Sequence, residues 1–219
     1  MKLFLDSADI EEIKNGATLG VISGVTTNPS LAAKAGVGGV EAYKLAVQEI
    51  AGIVDGPISI EVISDDPDEM ILEGRDYATW IDNPWVKLPS SAAGFQAMKV
   101  LSMEGIQINQ TLCFSVNQAL LGAQAGATAV SPFVGRLDDI GEDGMALVKD
   151  IADVFKIHEI KTKVLAASIR GPKHCVDAAR AGAHIATIPI GVLKQMVKHP
   201  LTDIGIQKFN DDWEKARKG

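Results

Sequence analysis

Short apolar segments alternate with helical patterns eight times along this chain, and that alternation constrains its fold more than any other feature. Strands are predicted at 3–5, 24–26, 58–62, 85–88, 106–112, 129–131, 164–167 and 185–188. Helical periodicity follows each of them, at 11–20, 41–53, 68–78, 93–104, 117–125, 143–155, 173–181 and 191–197. The helix ends are marked. Asp9 with Glu12, and Ser115 with Gln118, have the spacing of capping boxes, and Gly105, Gly126 and Gly182 stand where a left-handed cap residue is wanted. Strands alternating with helices imply a parallel sheet with right-handed crossovers. Eight units in about 200 residues fit a compact (β/α)₈ TIM barrel of the α/β class. A doubly wound open sheet is the alternative, and no G-x-G-x-x-G follows the first strand to favour it.

The 219 residues are expected to form one domain, 1–219, with no linker or low-complexity tract. Residues 201–218 form a ninth helical pattern with Ile206, Phe209 and Trp213 on one stripe. A barrel of eight units has no strand for that helix to cover, so it is predicted to pack on a barrel face or on a neighbouring subunit. The net charge of −7, without a Lys/Arg cluster, argues against nucleic acid as a partner. No apolar stretch reaches the length of a bilayer span, and the apolar run at the start is too short for a signal peptide. Cys113 and Cys175 make neither a disulfide framework nor a zinc spacing, and His158, His174, His184 and His199 are dispersed. The expectation is a cytoplasmic protein with no residue spacing that would hold a metal.

Lys87 is the candidate centre of chemistry. It is a lone cation in Pro84-Trp85-Val86-Lys87-Leu88-Pro89, a run that otherwise reads as a buried strand. Desolvating an ammonium is costly, and burial favours the neutral amine of a lysine, which can form a Schiff base with a carbonyl substrate. A lysine snorkelling at a strand end, or held in a structural ion pair, is the competing reading. The other strands bear on the choice, because barrel sites lie at the carboxyl ends of strands. Those ends carry Asp6, Asn28, Glu61, Lys87, Asn109 with Thr111, Ser131 and Ser168. Individually each has a structural explanation, Asp6 or Ser131 as a helix cap and Asn28 as an Asx-turn. Period-two alternation puts Ser59 with Glu61 on one face, and Asn109 with Thr111 and Cys113. It likewise predicts that Ala166 and Ser168, with Arg170 beyond them, oppose Leu165, Ala167 and Ile169. On that parity Cys113 faces the barrel mouth. Arg136 and Arg170 follow the sixth and seventh strands, where late loops of barrels often bind phosphate, although a surface role is equally open for either alone.

Six ordered motifs carry a family resemblance across essentially the whole chain. They are the first six residues, Val25-Thr26-Thr27-Asn28-Pro29, Val86-Lys87-Leu88-Pro89, Thr111-Leu112-Cys113-Phe114-Ser115, Ser131-Pro132-Phe133-Val134-Gly135-Arg136 and Ala166-Ala167-Ser168-Ile169-Arg170. Together they resemble the small transaldolases. The resemblance implies that Lys87 forms the Schiff base with a ketose phosphate and that Asp6 handles the proton of the hydroxyl beside the broken carbon–carbon bond. It implies that Glu61 and Thr111 hold the catalytic water, that Asn28, Asn109, Ser131 and Ser168 contact substrate, and that Arg136 and Arg170 bind its phosphate. It also implies a place in the pentose phosphate pathway, sugar-phosphate substrates, chemistry that needs no metal or organic cofactor because the iminium does the work of a Lewis acid, and a homo-oligomer, a pentamer or a decamer of two pentamers.

Fructose-6-phosphate aldolases of similar size share much of this pattern. They carry glutamine where Glu61 stands and tyrosine where Phe133 stands, and they lack counterparts of Asn109 and Arg170. All four positions favour the transferase, which passes a dihydroxyacetone unit from fructose 6-phosphate to erythrose 4-phosphate. The alternatives are an aldolase releasing free dihydroxyacetone and a sugar-phosphate-binding barrel without catalysis. Ser90-Ser91 departs from the apolar residue and threonine common in the family, but Ser91 keeps a hydroxyl.

Overall fold

The computed structural model describes residues 1–218; Gly219, the last residue of the expected domain, lies outside them. Eight parallel strands close into a barrel in chain order: β1 (Lys2–Asp6), β2 (Ile22–Thr26), β3 (Ile58–Glu61), β4 (Pro84–Pro89), β5 (Ile108–Cys113), β6 (Ala129–Pro132), β7 (Lys163–Ala166) and β8 (Ile185–Ile188). Closure comes from β1 against β8, with Lys2 opposite Ile185 and Leu5 opposite Ile188. The outer helices are α1 (Ile10–Ala17), α3 (Val40–Ala51), α4 (Pro67–Tyr77), α5 (Ala92–Met103), α6 (Val116–Gln124), α8 (Gly144–Ile157), α9 (Pro172–Arg180) and α10 (Ile190–Val197). The barrel, rather than the open sheet, is therefore the fold.

Two short helices were not legible in the sequence: α2 (Pro29–Lys34) and α7 (Val134–Asp138), both in loops that follow a strand at the mouth. Asn28 caps α2 by accepting from the Leu31 N–H at 2.9 Å, and Pro29 occupies its first turn. The expected caps at Asp9 and Ser115 accept from Glu12 N and Gln118 N. The return contacts of a capping box are redirected: the Glu12 carboxylate takes the Ser7 hydroxyl at 2.6 Å, and Gln118 Oε1 takes the Phe114 N–H at 2.8 Å. Gly105, Gly126 and Gly182 are left-handed, with φ of 84°, 95° and 91°.

Hydrophobic burial occurs in two bodies. The larger lies between the strands and the helices and contains Leu5, Val25, Ile58, Ile60, Val86 and Leu88. The smaller fills the barrel interior with Phe4, Trp85, Ala129, Leu165, Ala167 and Ile185, the Phe4 and Trp85 rings lying 5.9 Å apart. A Cβ at Gly24 would come within 2.6 Å of Phe4 Cζ, so glycine is what lets the Phe4 ring sit there. Phe4, Trp85, Ala129 and Ile185 fill the amino end of the barrel as a plug, while Leu165 and Ala167 continue along β7 and just past it to the carboxyl end and line the mouth beside the polar groups.

Strand parity fails at two places, and both have the same cause. Leu112 has φ of 53° and Ser168 has φ of 58°, left-handed conformations that non-glycine residues seldom adopt. Register slips between Gln110 and Cys113, so Cys113 turns away from the mouth into the helix-facing core, where burial pushes its thiol up to about 11. In β7 the predicted faces are reversed: Leu165 and Ala167 point into the barrel while Ala166 packs against the helices. Ser168 reaches the mouth because its own backbone turns there, and not by alternation from Ala166.

The ninth pattern is a helix, α11 (Pro200–Lys218). Phe209 is 74% and Trp213 67% exposed, and Leu201, Ile204 and Ile206 are exposed beside them. The helix thus does not bury its apolar residues on the barrel of its own chain. No helix among the described residues is long and apolar enough to cross a membrane.

Candidate active site

A cavity of about 290 Å³ opens at the carboxyl ends of the strands, above the interior plug. Nine of the predicted site residues line it: Asp6, Asn28, Lys87, Asn109, Ser131, Phe133, Arg136, Ser168 and Arg170. Glu61 and Thr111 do not. Glu61 reaches the site through Lys87 instead, and Thr111 lies two residues further along β5 than Asn109, opposite Pro89.

Lys87 is held at the closed end of the cavity, only 4% exposed. Its ammonium lies 3.0 Å from Glu61 Oε2 and donates to the Thr27 carbonyl at 3.1 Å. A flexible four-carbon stem is fixed this way from two adjacent strands. Deeper in the wall, Asn109 Nδ2 donates to Ser59 Oγ at 2.9 Å, and the Ser131 hydroxyl donates to Asn109 Oδ1 at 2.6 Å. Three strands are cross-linked there by a polar chain, which holds the Asn109 amide in one orientation. The Thr111 hydroxyl is fully buried and has no hydrogen-bond partner among the described residues.

Asp6 faces Lys87 from β1. Burial raises its pKa above the ordinary aspartate value, and the Lys87 charge and a hydrogen bond from Thr26 lower it by less. The Thr26 hydroxyl donates to Asp6 Oδ1 at 2.7 Å and lies 2.6 Å from the Thr187 hydroxyl. Since Thr26 gives its only proton to the carboxylate, Thr187 must be the donor in the second bond. Thr26, Thr27 and Thr187 were not predicted as site residues. Parity held a signal for two of them: Thr26 follows Gly24 by two positions in β2, and Thr187 follows Ile185 by two in β8.

Two arginines mark the opposite rim. The Arg136 guanidinium lies 5.1 Å from the centre of the Phe133 ring, which itself packs 5.8 Å from Phe114. Arg170 is paired with Asp139 at 2.7 Å, and both are more than half exposed. The two arginine loops meet at Gly135, whose N–H donates to the Ser168 carbonyl at 3.0 Å. A Cβ there would sit 2.3 Å from that oxygen and 2.4 Å from Arg170 Nε, so α7 can approach residues 168–170 only because position 135 is glycine. Among the described residues, no group of three or more His, Cys, Asp or Glu side chains is arranged to hold a metal ion.

A parallel barrel that gathers a buried lysine, two carboxylates and two arginines at the carboxyl ends of its strands has the layout of a barrel enzyme. The family model described as Transaldolase/Fructose-6-phosphate aldolase matches residues 3–219. The chain is 57% identical over 216 residues to a probable transaldolase of Clostridium acetobutylicum, covering 99% of both chains. It is 54% identical over 219 residues to a probable transaldolase of Dehalococcoides mccartyi, covering the whole of both. It is 56% identical over 218 residues to probable transaldolase 1 of Listeria monocytogenes, again over the whole of both. The chain belongs to the transaldolase/fructose-6-phosphate aldolase family.

Proposed function

We propose that the protein is a transaldolase that moves a dihydroxyacetone unit from a ketose phosphate such as fructose 6-phosphate to an aldose phosphate such as erythrose 4-phosphate. The observation that carries this is the buried Lys87 ammonium, clamped between Glu61 and Thr27 at the closed end of a polar cavity. Glu61 is near enough to take the proton that Lys87 must lose. The free amine then attacks the C2 carbonyl, and the carbinolamine loses water to give an iminium ion. Glu61 and the unpartnered Thr111 hydroxyl are suited to receive and position that water. Asp6 removes the C4 hydroxyl proton as the C3–C4 bond breaks, and the electron pair of that bond passes into the iminium to give an enamine. Its raised pKa brings this base closer to the working range. The aldose phosphate leaves, the acceptor aldehyde enters, and the steps run in reverse. Arg136 and Arg170 bind the phosphate.

Release of free dihydroxyacetone is the second reading. Phe133 at the rim offers no hydroxyl to assist hydrolysis, and Glu61 stands where the aldolases have glutamine, so transfer is favoured. We further assign the protein to the pentose phosphate pathway, the cytoplasm and a homo-oligomer of pentamer or decamer size; the unpaired, buried Cys113 and Cys175 are consistent with a reducing compartment. Borohydride reduction in the presence of fructose 6-phosphate, followed by peptide mass spectrometry, tests the central assignment. The adduct is expected on Lys87, with Lys87→Met abolishing adduct and turnover while excess EDTA leaves both intact. An adduct on another lysine, or binding without any adduct, overturns it.

A further inference from the structure

Tyr43 lies on α3, behind the site, where its side chain neither lines the cavity nor carries any role in the chemistry above. It is 4% exposed. Its hydroxyl is 2.5 Å from the Thr27 hydroxyl and 3.3 Å from the Glu61 backbone nitrogen. The Thr27 hydroxyl also contacts the Ser59 carbonyl at 2.7 Å. The direction of every bond in this group follows from its ends. A peptide nitrogen can only donate and a carbonyl oxygen can only accept. The Glu61 N–H therefore donates to the Tyr43 oxygen, Thr27 spends its one proton on Ser59, and Tyr43 must donate to Thr27. The result is a single chain from β3 through α3 to β2 and back to β3.

The two residues tied by this chain, Thr27 and Glu61, are the two partners of the Lys87 ammonium. Resting on the reading of Lys87 as the Schiff-base lysine, we propose that Tyr43 is a positioning residue of the reaction. It fixes the backbones that aim Lys87 and hold its proton acceptor. Two aromatic neighbours keep the tyrosine ring in place, Trp80 and Tyr77, each meeting it edge-on at 89°, with centroid distances of 5.8 and 6.4 Å. Burial pushes the Tyr43 hydroxyl up to about 12, so it remains a protonated donor across the neutral range. The hydroxyl is a fixed tie and takes no part in proton exchange with substrate.

Tyr43→Phe removes one oxygen and keeps the ring, while Thr27→Val removes the next link at nearly constant volume. Each should lower kcat by roughly tenfold or more with KM changed less than about threefold, because displacement of a reacting amine costs rate more than binding. The double variant should lose no more than the worse single, since links of one chain are not additive. Thr27→Ser, which restores the hydroxyl, should stand well above Thr27→Val. The measurements are steady-state kinetics, thermal midpoint and borohydride trapping on fructose 6-phosphate. A Tyr43→Phe protein with a lowered midpoint but kcat within about twofold of wild type, still trapped on Lys87, overturns the proposal and leaves a purely structural tyrosine. Losses that multiply in the double variant overturn it as well. If Tyr43→Phe does not fold, Thr27→Val decides by the same thresholds. Failure of wild-type trapping on Lys87 is a different outcome, which removes the parent reading and this one together.

Discussion

The Lys87 ammonium lies 3.0 Å from the Glu61 carboxylate across the β3–β4 ladder, where the two residues are direct register partners. The lysine side chain is 5% exposed and the glutamate 16%, so solvent screens this pair far less than the ion pairs on the outer helices. The contact serves two ends. It lowers the cost of keeping a cation inside the barrel, and it places a proton acceptor beside the nitrogen that must become a nucleophile.

Glu61→Ala leaves that cation with the Thr27 carbonyl as its hydrogen-bond partner and the Asp6 carboxylate as a counter-charge beyond ion-pair distance. Removing one member of a buried pair is expected to cost about 3 kcal/mol, most of it for the charge left behind. The Glu61→Ala/Lys87→Met double variant should regain most of that loss, as neither charge remains. Urea denaturation of the three proteins measures it. A Glu61→Ala protein as stable as wild type would mean that water reaches Lys87 freely.

The acid limb of activity should follow Asp6. Burial outweighs the Lys87 charge and the Thr26 hydrogen bond, so the folded-state pKa is raised. A raised pKa means that folding favours the protonated acid; its contribution to stability is present at low pH and is lost as pH rises through the folded value. Asp6→Asn keeps an oxygen for the Thr26 hydroxyl without the buried charge. Its thermal midpoint should exceed wild type at pH 7, and the difference should vanish as pH falls below the unfolded aspartate value of about 3.9. Turnover should be lost. Thr26→Val removes a bond that holds the pKa down, so the acid limb of kcat/KM should move to higher pH. A limb that stays in place removes Asp6 as the titrating base.

Phe133 sits at the rim between Phe114 and the Arg136 guanidinium. Phe133→Tyr adds the hydroxyl carried by the aldolases of the family without altering the ring that packs there. The ratio of free dihydroxyacetone to transferred product, measured with and without an acceptor aldose, should rise. An unchanged ratio would remove Phe133 as the ground for preferring transfer.

The parts of this structure that were legible in the sequence are those governed by local periodicity. Eight alternations produced eight strands and eight outer helices, and the lone cation in an apolar run led to the closed end of the cavity. Cys113 and the β7 faces were misread because period-two counting assumes extended backbone, and Leu112 and Ser168 break that assumption without a glycine to announce it. Tyr43 carried no signal at all: it is an ordinary helix position until the barrel closes and brings α3 behind β2 and β3. The short helices α2 and α7 escaped notice because runs of five or six residues contain too little apolar periodicity to separate from loop.

Assembly is where α11 is expected to act. The eight outer helices already cover the barrel, and the ninth carries Leu201, Ile204, Ile206, Phe209 and Trp213 exposed along its length. Leaving that much apolar surface in water is unfavourable by about 25 cal/mol for each Å², so a partner is expected to cover it. A second copy of the chain is the economical partner, since closed rotational symmetry lets every copy bury the same helix in the same way. The expected species is a homo-oligomer well above a dimer, with α11 at the subunit contact. Sedimentation velocity of the full chain and of a chain ending at residue 200 checks this. Truncation should shift the distribution to smaller species while each subunit keeps its circular dichroism, because α11 contributes nothing to the buried core. A full-length chain sedimenting as a monomer of 23.2 kDa would refute the assignment, and an intact large assembly after truncation would move the contact elsewhere on the barrel.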